Sequence, residues 1–121
     1  MTHRLLLIAA LLAVTVFGGL QSAAAAPERQ VAVVVDAAAG PAAIAEAEAA
    51  VEAAGADAQL RVPRTPTEQL SVTHYLAAQH YRLVVGVGLD RDIAVAPVAS
   101  KFPDTRIVAA EPGEIAGALA D

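Results

Sequence analysis

A three-layer α/β fold is what this sequence predicts. It would hold a parallel sheet of about four strands, in the order 2-1-3-4, with helices on both faces. Three observations lead there. First, short β-branched runs alternate with longer Ala-rich or amphipathic segments after residue 30. Such alternation means parallel strands joined by right-handed crossovers. Second, Val31-Ala32-Val33-Val34-Val35 and Leu83-Val84-Val85 are apolar without a break, as strands buried on both faces must be. Third, helix-start and helix-stop residues stand between the runs, at Pro41 and Gly55, at Thr65 and Pro66, and at Asp90.

The first strand spans residues 31–35 and ends at Asp36. After a short loop, Pro41 suits the first position of a helix, where its missing N–H costs nothing. That helix runs to Gly55, a C-cap residue. Its Ile44, Ala47, Val51 and Ala54 share one face, while Glu46, Glu48 and Glu52 read as a solvated one. A weaker second strand covers residues 58–62, and Pro63 ends it. Thr65-Pro66-Thr67-Glu68 is the clearest local signal. Thr65 caps the next helix, Glu68 reaches back to it, and Pro66 takes the first turn.

The second helix runs to about Gln79 and stops at His80, which must accept a left-handed conformation better suited to glycine. The third strand begins at Leu83, and Gly86 and Gly88 stand where it would end. Asp90 starts a third helix that reaches about Lys101, with Pro97 inside it predicting a kink or a late start. Phe102-Pro103-Asp104 turns the chain into a fourth strand at residues 105–110. Glu111-Pro112-Gly113-Glu114 then opens a last short helix.

Residues 1–26 are read apart from the fold. A basic start (Arg4), an apolar run from Leu5 to Phe17, and Ala24-Ala25-Ala26 before Pro27 have the layout of a cleaved secretory signal. Residues 27–121 then form a single α/β domain, enough chain for one core but not for two lobes. Export places the protein in the cell envelope, on the periplasmic or extracellular side of the plasma membrane. The absence of cysteine excludes disulfides and attachment through a lipidated cysteine.

Without Arg4 the chain carries seven basic and thirteen acidic residues, a net charge of −6. Nucleic acid is not an expected partner, because binding it needs a basic footprint. The aromatics are Phe17, Tyr75, Tyr81 and Phe102 alone, too few for stacking platforms.

In an open α/β sheet ligands bind beyond the carboxyl ends of the strands. The residues at those ends are Asp36, Gly86, Gly88 and Glu111, and they are the candidate ligand-binding set. Each has a structural reading beside the functional one. Asp36 either meets a ligand hydroxyl or caps the following helix. Gly86 and Gly88 either let a ligand approach the backbone or only shape a tight turn, and a lone Gly-x-Gly is a weak signal. Asp90 and Asp92 read as helix-capping carboxylates.

His74 and His80 are six apart, so they do not share a helix face, and no metal site is expected. Ser71 and Ser100 lack a nucleophile-elbow setting. No catalytic residue, cofactor or enzymatic activity is expected.

A run of pieces in register carries a family resemblance. These are Thr65-Pro66, Leu76-Ala77, Gln79, Tyr81-Arg82-Leu83-Val84-Val85-Gly86-Val87-Gly88, Ala94-Val95-Ala96, Val98-Ala99 and Lys101-Phe102-Pro103-Asp104-Thr105. Together with Val33-Val34-Val35-Asp36 they resemble the basic membrane protein family of solute-binding proteins, over most of residues 31–110. That family serves ABC importers, and its members include purine nucleoside receptors. The resemblance implies the N-terminal lobe of a type 1 periplasmic binding protein, a nucleoside-like solute and an ABC permease as partner.

Three departures qualify what is carried over. The family's ligand-contacting loop after the first strand, with its Phe and Asn, has no counterpart in Ala37-Ala38-Ala39-Gly40. The family closes two lobes on its ligand across a hinge, in a chain about three times as long as residues 27–121, so a second lobe and hinge are not expected here. Many relatives are lipoproteins, which this chain cannot be. The expectation is therefore a truncated receptor lobe with weak or no binding. The alternative is a stand-alone flavodoxin-like envelope domain that acts through a protein partner, or through self-association at an open sheet edge.

Overall fold

The computed structural model describes residues 30–55 and 57–120, so the expected signal segment at residues 1–26 lies outside the described residues. The four strands are β1 (Val31–Val35), β2 (Ala58–Arg61), β3 (Leu83–Val87) and β4 (Arg106–Ala109). They form one parallel sheet in the order β2-β1-β3-β4, the predicted architecture. The main helices are α1 (Pro41–Ala54), α2 (Pro66–Ala78), α3 (Ala96–Lys101) and α4 (Ile115–Ala120). Among the described residues no helix is long and apolar enough to cross a membrane.

The unbroken apolar runs make sense once both faces are covered. Val31, Val33, Val35, Leu83, Val85 and Val87 face α1 and α4, packing with Ala43, Ala47, Ala50 and Ile115. Ala32, Val34 and Val84 face the other way, against Leu76 of α2 and Tyr81. Val33, Val34, Val35, Leu83, Val84 and Val85 are fully buried, each contributing about 1.5–3 kcal/mol relative to an exposed position.

The buried stripe of α1 differs from the expected one. Ala43, Ala47 and Ala50 meet the sheet, Ile44 and Val51 flank them, and Ala54 is exposed. Alanines let the helix axis approach the sheet closely, and the larger side chains fill the sides. Glu46 is not simply solvated either. Its carboxylate accepts the Gly113 N–H, at 2.8 Å to Oε1 and 2.7 Å to Oε2, and so ties α1 to the turn before α4.

Thr65 caps α2 as predicted, with Oγ1 accepting the Glu68 N–H at 3.1 Å. The Glu68 carboxylate reaches one residue further back than expected, to the Arg64 N–H at 2.7 Å. At the other end His80 takes φ +67°. The Tyr81 N–H donates to Leu76 O and the His80 N–H to Ala77 O, a Schellman closure. Tyr81 and Leu76 also touch in the core beneath it. His80→Gly is therefore expected to stabilise the protein by about 1 kcal/mol, read as a higher urea midpoint, because the side chain bears the left-handed penalty.

Tyr81 is 4 % exposed, and burial pushes its phenol up from the ordinary 10.0, with the Arg61 charge opposing in part. A folded value above the unfolded one means that this contribution is complete below pH 10.0 and is lost as pH rises through the folded value. Urea denaturation above that pH should show falling stability, and Tyr81→Phe should flatten the fall.

Pro97 is accommodated by both a start at Asp90 and a change of helix type. Asp90 Oδ1 accepts the Ile93 N–H at 2.9 Å, and Arg91–Val95 form a π turn in which the Ala96 N–H donates to Arg91 O. A proline ring collides with the carbonyl four residues back in a regular α-helix. The wider π turn relieves that collision, and α3 continues from Ala96.

Candidate functional site

The ends of β1 and β3 are joined by a polar clasp. The Asp36 N–H donates to Val87 O at 2.9 Å, which keeps the two strand ends together. Asp36 then caps a single 3₁₀ turn, Ala37–Ala39, with Oδ2 accepting the Ala38 N–H at 3.3 Å. Its Oδ1 accepts from Gln69 Nε2 at 3.1 Å, and Gln69 Oε1 accepts the Asp90 N–H at 2.8 Å. A backbone N–H can only donate and a carboxylate can only accept, so the two partners set the orientation of the Gln69 amide. Gln69 is 4 % exposed, and the chain segments after β1 and β3 both depend on it.

Gly86 is not at the end of its strand, as the sequence suggested, but inside it. It stands in register with Val34 on one side and Ala109 on the other. Its lack of a side chain leaves room for Leu89, which folds back so closely that a Cβ on Gly86 would lie 2.7 Å from Leu89 Cδ1. Gly88 is the first residue beyond β3, at φ +76°, and a Cβ there would sit 3.4 Å from the Asp36 Cβ.

A groove of about 470 Å³ opens between the ends of β3 and β4 and the π turn. Gly86, Gly88 and Leu89 line it from β3, Ile107 to Glu111 from β4, and Arg91, Val95 and Ala96 from the third side. Its volume lies within the range of small-molecule sites, and its surface is mainly apolar with a few polar groups. The structure thus brings Gly86, Gly88 and Glu111 to one groove and places Asp36 behind Gly88, outside the lining, with both carboxylate oxygens on protein donors. Asp90 caps the π turn, and Asp92 lies exposed in its first turn.

Gln69 and Arg91 are the two residues that sequence reasoning missed. Gln69 had a signal: it shares a helical stripe with Thr73, Leu76 and Ala77, all buried, so a polar side chain there needs partners. Thr73, on the same stripe, has a fully buried hydroxyl without a hydrogen-bond partner among the described residues. Arg91 stands between Asp90 and Asp92, which read as helix-capping carboxylates, and no sequence signal singled it out.

The histidines do not meet. His74 packs edge-on to Phe102, with ring centroids 5.0 Å apart, and its Nε2 lies 3.4 Å from Lys101 Nζ, while His80 closes α2. Among the described residues no three His, Asp or Glu side chains gather as a metal site would require. A smaller depression of about 280 Å³, lined by Arg61, Ser71, Val72 and Tyr75, lies beside β2. In it the Arg61 guanidinium lies over the Tyr75 ring, 6.0 Å from its centroid, and bonds Gln59.

No family model matches the chain, and neither does a curated protein or a solved structure.

Proposed function

We propose that this chain is an exported solute-binding domain of the basic membrane protein type, working with an ABC permease at the cell envelope and carrying out no chemistry of its own. The observation that supports the reading best is the groove at the carboxyl ends of β3 and β4, where an open α/β sheet holds its ligands. The sheet order β2-β1-β3-β4, which the alternation of strands and helices predicts, is compatible with such a domain. Purine nucleosides are the ligand class that the resemblance suggests. Binding is weak, because Gly88, Arg91, Ala96, Ala109 and Glu111 are exposed and Asp36 is engaged elsewhere.

Calorimetric titration of the purified protein with adenosine and inosine tests this. Dissociation constants of about a millimolar are expected, some −4 kcal/mol of binding free energy. No heat at several millimolar ligand would remove the receptor function.

A second reading has one observation in its favour. Arg106 and Ala110 donate to Arg82 and Gly86 of the β3 segment, at 3.0 and 2.9 Å, so by alternation the N–H groups of Ile107 and Ala109 point away from the sheet. Among the described residues β4 pairs with β3 alone. Such an edge can take a strand from a protein partner or a second copy. Gel filtration separates the readings, since a monomer at every concentration counts against self-association.

A further inference from the structure

Two of the eleven residues lining the groove are charged, Arg91 and Glu111, and the others offer carbon or backbone. The carboxylate adjoining Arg91 in sequence is already used, since Asp90 Oδ1 holds the Ile93 N–H at 2.9 Å. Among the described residues Arg91 forms no ion pair. At the far side the Glu114 carboxylate takes the Glu111 N–H at 3.0 Å, so Glu114 points at backbone while Glu111 lines the groove.

A guanidinium presents a planar fork of donors that fits phosphate or carboxylate, and an ionised carboxylate only accepts. The apolar side chains of the lining on the Gly86 face, Leu89, Val95 and Ile107, suit the flat apolar part of a ligand. A neutral nucleoside would engage these side chains and Glu111, through its ribose hydroxyls, and leave Arg91 without a partner.

We infer that the groove takes a small solute with an anionic group at one end and hydroxyls at the other, Arg91 meeting the anion and Glu111 the hydroxyls. This rests on the solute-binding reading and sharpens its ligand class to nucleoside 5′-monophosphates. Arg91 is then the residue that separates nucleotide from nucleoside.

The test is calorimetry of the purified protein at low salt with adenosine, adenosine 5′-monophosphate and inorganic phosphate. The monophosphate is expected to bind about tenfold tighter than adenosine, as one charge-assisted contact would provide. Inorganic phosphate is expected to bind more weakly than the monophosphate. Arg91→Ala should bring the ratio of monophosphate to adenosine affinity close to one. Arg82→Ala removes the same charge at the opposite end of β3 and should leave the ratio intact.

Equal binding of adenosine and its monophosphate would overturn the inference and leave the solute-binding reading standing. So would an equal loss in the Arg82→Ala protein, which would assign the preference to the field of the whole molecule. Phosphate as tight as the monophosphate would overturn the hydroxyl end at Glu111. No binding of either nucleoside or nucleotide would end the solute-binding reading and the inference with it.

Discussion

Replacing Gln69 by Leu is expected to lower stability by about 2–4 kcal/mol, among the largest effects of any single side-chain change in this protein. The substitution keeps the apolar contacts of α2 but leaves Asp36 Oδ1 and the Asp90 N–H without their partners at 3.1 and 2.8 Å. Each unpaired group costs about 1–3 kcal/mol when buried, and the half-exposed position of Asp36 moderates the total.

Gln69→Glu separates this clasp from mere packing. The new carboxylate can still accept from Asp90, but it faces Asp36 where an amide N–H₂ stood. Two carboxylates sharing a site favour one proton between them, so their folded affinity for that proton lies above the unfolded one. The sign follows: the Gln69→Glu protein should regain stability as pH falls and lose it as pH rises towards neutrality. Urea midpoints at acidic and neutral pH would show this. No loss at either pH would mean that Gln69 acts through its volume alone, since glutamate keeps that volume.

Gly88→Val is the second large effect, with an expected loss of about 2–3 kcal/mol. The left-handed conformation at φ +76° costs about 1–2 kcal/mol for a residue with a Cβ, and more for a β-branched one. The added Cβ would also lie only 3.4 Å from the Asp36 Cβ and 3.8 Å from that of Ala39. Gly88→Asn should lose less than Gly88→Val, because asparagine tolerates this region. Thermal denaturation of the two proteins provides the comparison, and equal losses would assign the effect to crowding against Asp36 instead of backbone strain.

Most of the sheet was legible in the residues. The β-branched Val31–Val35 run reads as a strand, and it pairs centrally with both β2 and β3. Thr65 and Pro66 announced α2, and His80 announced its left-handed end. The buried face of α1 was not legible, because with eight alanines among fourteen residues the hydrophobic period is nearly flat. Gly86 looked terminal because glycine usually weakens a strand. The crowding by Leu89 that calls for it exists only in three dimensions.

The candidate site was half visible. Strand ends pointed to Gly86, Gly88 and Glu111, since topology alone sends those residues to one edge. Gln69 joins segments 33 and 21 residues away, and that depends on how α2 lies across the sheet. Arg91 enters the groove because Pro97 is accommodated by a π turn, which the sequence signalled only as a kink or late start.

The most direct measurement is a nitrogen-15 correlation spectrum of the protein titrated with adenosine 5′-monophosphate. A solute groove at the ends of β3 and β4 predicts that shifts concentrate on the amides of Gly88, Leu89, Arg91, Ala110 and Glu111. The amides of β2 and the Tyr75 region should stay still. Shifts centred on Arg61, Ser71 and Tyr75, or none at saturating ligand, would contradict it.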